Sequence, residues 1–113
     1  MLTEARLILP NTTAANEVEP YLVDLAGGFT RMRARGAWRD PATGRTISEG
    51  VRIYLLSADW TEANKLNLEY IAQAAAKHLG QSEVMVTFPD SGALFVAPDG
   101  VVPATHAGPR IAQ

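Results

Sequence analysis

The chain has 113 residues, a net charge of -2 and no cysteine, which excludes disulfides, thiolate metal sites and a cysteine nucleophile. Apolar residues make up 47% and charged residues 19%, the balance of a folded globular chain rather than a disordered one. The net charge gives no general pull toward nucleic acid, and no apolar run approaches the ~18 residues needed to span a bilayer.

The distribution of charge is more informative than its sum. Six arginines between positions 31 and 52 face only Asp40 and Glu49, so this window carries +4 and the remainder -6. The start, Met1 to Arg6, lacks the basic and apolar regions of a signal peptide, which together with the absent cysteines predicts a cytoplasmic protein. Length predicts a single domain over residues 1–100, with a loosely ordered, Pro/Gly/Ala-rich tail over 101–113.

Residues 5–9 read as a first strand that stops at Pro10, followed by turn and cap chemistry at Asn11-Thr12-Thr13. Val18, Leu22 and Leu25 then form one stripe of a short helix. Its cap is either Asn16, with Glu19 closing a capping box, or Glu19 itself, with Pro20 in the first helical position. Gly27-Gly28 ends it, because glycine tolerates the left-handed conformation that closes a helix.

The second strand runs from Phe29 to Arg39. Its odd face carries Arg31, Arg33, Arg35 and Arg39, and its even face Met32, Ala34 and Trp38. Three arginines in a row are costly to bury unpaired, which predicts the even face toward the helices. Asp40 to Gly44 is a turn. The third strand, 45–58, is predicted to bulge at Gly50 and to bury Val51, Ile53 and Leu55. Asp59 with Glu62 opens a second helix that runs to Leu79, with Ala63, Leu66, Tyr70 and Ala74 as one stripe and Leu68, Ile71, Ala75 and Leu79 widening it. Trp60 reads as a staple on that helix. Two more strands follow, 83–88 and 93–97, the first burying Val84, Val86 and Phe88.

The order β-α-β-β-α-β-β predicts an α+β sandwich of the ferredoxin-like, split βαβ kind with a fifth strand. Both helices lie on one face of a mainly antiparallel sheet, in strand order 4-1-3-2 with strand five outside strand four. The arginine strand is then a sheet edge. The open face is expected to show Arg6, Ile8, Tyr54, Leu56 and Met85 beside the arginines, a mixture resembling an interface centre.

The candidate binding residues are Arg31, Arg33, Arg35, Trp38, Arg39, Arg52 and Tyr54. Neighbouring arginines of the row are about 6.8 Å apart at strand rise. That spacing suits an acidic protein surface or successive phosphates, and guanidinium forks bind either. Charges on an edge strand also repel other edges. Gly27-Gly28 follows a helix and precedes a strand, the reverse of a phosphate loop. His78 and His106 stand without a second ligand at metal spacing. No cofactor, metal or catalytic residue is indicated, and no membrane association.

Gly27-Gly28-Phe29-Thr30, Gly36-Ala37-Trp38-Arg39-Asp40, Gly44-Arg45, Val51-Arg52-Ile53-Tyr54 and Gly80-Gln81-Ser82-Glu83-Val84 resemble a pattern in small uncharacterised bacterial proteins, some carried by phages and plasmids. The resemblance covers roughly residues 5 to 88 and implies a ferredoxin-like sandwich without a known activity. A mobile-element setting implies an inhibitor of, or adaptor for, a host protein. The function expected is therefore a non-enzymatic protein-binding domain, homodimeric, acting through the arginine ribbon or the open sheet face. The alternatives are a nucleic-acid-binding accessory protein using the same arginines, and a small dimeric ferredoxin-like enzyme.

Overall fold

A computed structural model describes residues 2–40 and 42–102. The expected tail beyond Val102, with His106, and the turn residue Pro41 lie outside the described residues.

The architecture is mixed α+β: an antiparallel six-stranded sheet and two α-helices. Strand β1 is Thr3–Pro10, helix α1 Glu19–Ala26, β2 Thr30–Arg39 and β3 Thr46–Ala58. Helix α2 is Glu62–His78, followed by β4 Val84–Phe88, β5 Gly92–Ala97 and β6 Gly100–Val101. The spatial order is β2-β3-β1-β4-β5-β6. The fifth strand therefore joins the sheet beside β4, and β2 is an edge. The short β6 falls where the tail was expected to begin. Ala97 and Gly100 pair across the two-residue turn Pro98-Asp99, and Gly100 has a positive φ of 136°.

Residues directly opposite in an antiparallel pair share a face, so register assigns every side chain. Leu7 lies opposite Tyr54 and Ala5 opposite Leu56, and Leu7 also opposite Val86. These residues are fully buried with Leu22 of α1 and Leu68 and Ala72 of α2. The core thus lies between one sheet face and both helices. Each fully buried leucine there contributes about 1.5–3 kcal/mol relative to exposure.

This register corrects the faces expected of two strands. Tyr54, Leu56 and Ala58 are the core positions of β3, while Ile53 and Leu55 are half-buried on the open side and Val51 is buried there. Because β2 pairs Arg31 with Tyr54 and Arg33 with Arg52, the arginines share the helix-side face. Met32, Ala34 and Trp38 take the open one. Burial of the arginines does not follow, since the hairpin runs past the helices and leaves Arg31, Arg33 and Arg35 exposed. The open face carries Arg6, Ile8, Met32, Ile53, Leu55 and Met85, with Tyr54 and Leu56 gone from it.

Gly50 makes no bulge: the β2–β3 ladder runs unbroken from Thr30–Leu55 to Arg39–Thr46, with Gly50 opposite Arg35. A 3-10 helix, Thr13–Val18, runs from the last residue of the expected turn, Asn11-Thr12-Thr13, to Val18, the first residue of the expected helix stripe. Helix α1 follows it directly, with Val18 at the cap position, no side-chain cap and proline in its first turn. Neither Asn16 nor Glu19 caps it. Gly27 closes it at φ 80°, as its chemistry predicts.

Thr61, not Asp59, caps α2, accepting the Asn64 N–H at 3.2 Å. The stripe through Leu66, Tyr70 and Ala74 faces outward; Leu68, Ala72, Ala75 and Ala76 are the buried positions. Trp60 does not staple the helix start but closes the end of the sandwich. Its indole packs edge-on against Phe88 at 5.5 Å and donates to the Thr3 carbonyl at 2.9 Å.

Candidate functional site

The sheet's core face changes character toward the hairpin. Along β3 it reads Leu56, Tyr54, Arg52, Gly50, Ser48, and along β2 Arg31, Arg33, Arg35. The boundary between the apolar core and the polar end is a side-chain cluster centred on Glu19 at the start of α1.

Three donors converge on Glu19 Oε2: Arg31 at 2.6 Å, the Tyr54 hydroxyl at 2.7 Å and Arg52 at 3.2 Å. Arg52 is buried, and the Nη1 that reaches Glu19 also donates to Asn16 Oδ1 at 2.6 Å and to the Tyr54 oxygen at 3.1 Å, while its Nε donates to Asn11 Oδ1 at 2.9 Å. A buried guanidinium is tolerable only when hydrogen-bonded and paired with charge in this way. Phe29 packs edge-on against the Tyr54 ring at 5.2 Å, shielding the cluster from the end of β2.

Burial works to raise the Glu19 pKa, but the bonds from Tyr54 and Arg31 and the charges of Arg31 and Arg52 outweigh it, holding the carboxyl below its ordinary value. Burial, the largest influence on Tyr54, lifts its phenol above the ordinary range, and the bond to Glu19 adds to this while Arg52 opposes it. The carboxyl is thus a carboxylate and the phenol a phenol near neutral pH. A carboxylate held this acidic is a weak general base, and the cluster's chemistry is that of an anchored charge network.

Beyond it the arginines run outward. Arg33 lies directly opposite Arg52 and, among the described residues, has no hydrogen-bond or ion-pair partner. Arg35 donates to the Ser48 hydroxyl at 3.1 Å and Arg39 to the Gly44 carbonyl at 3.0 Å, both neutral acceptors. Arg31, Arg33, Arg35 and Arg52 are therefore opposed at the cluster by the carboxylate of Glu19 alone among the described residues. The result is a positive shelf on the helix side of an edge strand.

The structure brings five of the seven predicted residues together: Arg31, Arg33, Arg35, Arg52 and Tyr54. Arg39 continues the row at the ribbon's far end. Trp38 stands on the opposite face, buried, its indole N–H and Glu49 Oε1 both without a hydrogen-bond partner among the described residues. Burial pushes the Glu49 carboxyl above its ordinary value. Sequence reasoning missed Asn11, Asn16 and Glu19. Their signal was a run of polar residues between two apolar elements, which also reads as ordinary turn and cap chemistry.

A separate groove of about 410 Å³ lies between α1 and α2. Tyr21, Tyr70 and Ile71 line it, with the Glu17–His78 side-chain contact at its rim. Among the described residues no cluster of three His, Asp or Glu side chains is placed to hold a metal ion, and no helix is long and apolar enough to cross a membrane.

Residues 13–95 match the family described as "Protein of unknown function (DUF3574)". No curated protein matches the sequence. Among solved structures the chain is similar to a phage SAM lyase in complex with S-methyl-5'-thioadenosine. The TM-score is 0.58 at 10% identity, covering 88% of this chain and 84% of that one. At that identity the likeness is one of fold.

Proposed function

We propose that this chain, which belongs to the DUF3574 family, is a non-enzymatic, cytoplasmic protein-binding domain on a ferredoxin-like sandwich, gripping an acidic surface of its partner with the arginine row of β2. A host-protein inhibitor or adaptor is the role that fits. The observation that carries the reading is Arg33: it lies opposite the buried Arg52, between Arg31 and Arg35, with no anion of its own among the described residues. Like charges directly opposite across strands repel. An incoming carboxylate relieves that repulsion and receives a bidentate fork.

Binding of a labelled poly-glutamate peptide and of mixed-sequence DNA and RNA at two salt concentrations tests this. The expected result is salt-weakened binding of poly-glutamate that Arg33→Glu with Arg35→Glu abolishes. Tighter, salt-steep binding of nucleic acid supports the phosphate alternative instead. No binding of any probe contradicts the arginine reading altogether.

The open sheet face is the surface we assign to a second copy. Met32 is 43% exposed there, beside half-buried Ile8, Ile53, Leu55 and Met85. Sedimentation across micromolar concentrations tests it, and a monomer throughout contradicts it.

One observation favours an enzymatic reading: the shared fold with a lyase whose structure holds S-methyl-5'-thioadenosine. Calorimetric titration of that nucleoside into the chain decides it. Heat on titration supports a nucleoside site, and a flat titration removes it.

A further inference from the structure

The edge of β2 is unusual for what it lacks. Among the described residues it is the outermost strand, pairs only with β3, and keeps an unbroken ladder over ten residues, Thr30–Arg39. It contains no proline and no bulge. The outer side of such a strand presents a row of N–H and C=O groups ready to template another strand.

Side chains select what that strand is. On the helix side an added strand meets Arg31, Arg33 and Arg35; on the open side it meets Met32 and Ala34. We infer that β2 accepts an extended segment of its acidic partner by strand addition, the segment alternating carboxylate and aliphatic residues. The inference rests on the arginine reading above and adds the backbone as the second half of the recognition. Main-chain bonds supply affinity in this mode, and alternate side chains supply specificity.

A second copy of the chain is a poor occupant of this edge. A two-fold antiparallel pairing of β2 with itself needs an axis normal to the sheet, which keeps like faces together. Odd positions then oppose odd positions, so arginines of one copy stand directly opposite arginines of the other. That juxtaposition is destabilising. A strand with glutamates at those positions reverses every one of these pairs from repulsive to attractive. The same alternation fixes register, because a one-residue slip sets aliphatic groups over arginine and carboxylates over Met32.

The test uses the full chain and a fluorescein-labelled nonapeptide of alternating valine and glutamate. Two N-methylated versions carry the same charges, one methylated along the edge that would pair with β2 and one along the other edge. Expected are salt-sensitive binding of the parent, retention by the second version and about tenfold or greater weakening of the first. Amide exchange at alternate residues of β2 should slow on binding. Equal affinity of both N-methylated peptides overturns strand addition while leaving the arginine reading intact. No binding of the parent overturns strand addition too, and the poly-glutamate titration then reports whether the arginine reading falls with it.

Discussion

Arg52 carries more of the molecule than its single place in β3 suggests. It ties the loop after β1, the 3-10 helix and the start of α1 to the sheet through Asn11, Asn16, Glu19 and Tyr54. Glu19 keeps Arg31 and Tyr54 when Arg52 is removed, but the Asn11 and Asn16 oxygens lose their donor, so Arg52→Met should cost about 1–3 kcal/mol in urea unfolding. An unchanged midpoint would show that the network is incidental. Glu19 sets a pH dependence. Its folded pKa lies below the ordinary 4.5, so its stabilisation is present above that value and is lost as pH falls through the folded pKa. Acid titration of stability should show this loss in the wild type and a shallower slope in Glu19→Gln. At this scale the sequence was half legible. Arg52 and Tyr54 stood out by type and spacing. Glu19 did not, because a glutamate before a proline is also what a helix start looks like.

At the scale of elements, chain order, strand positions and both helices could be read from periodicity and turn residues, but two faces could not. The rule against burying arginines placed the row of β2 on the open side. The rule is sound, and its application needed the length of the helix layer, which no local pattern encodes. Once the hairpin outruns the helices, the helix-side face is the wetter of the two, since Trp38 and Val51 are buried on the other. Helix α2 failed for a related reason: Leu66, Tyr70 and Ala74 keep helical spacing as well as Leu68, Ala72 and Ala75 do. Leu68→Ala should therefore cost ~2–5 kcal/mol, while Leu66→Ala, at a position 48% exposed, should leave the unfolding midpoint nearly unmoved. The close of α1 gives a finer contrast. Both Gly27 and Gly28 have open space for a Cβ, but only Gly27 has a positive φ, of 80°. Gly27→Ala should cost ~1–2 kcal/mol for left-handed backbone, and Gly28→Ala much less.

Across the whole molecule, a chain of net charge -2 holds six of its ten lysines and arginines on one hairpin. The sandwich gives that hairpin a rigid base, and the Glu19 cluster anchors its inner end. Its outer edge pairs with no other strand among the described residues. This arrangement suits steering toward a negative surface, and the unneutralised Arg33 makes the steering local. A charge swap tests the central claim most directly. The alternating valine–glutamate peptide and its valine–lysine counterpart are titrated into the wild type and into Arg33→Glu with Arg35→Glu. The account predicts that the wild type binds the glutamate peptide alone and that the double variant reverses the preference. Equal affinities of both proteins for the glutamate peptide would contradict it.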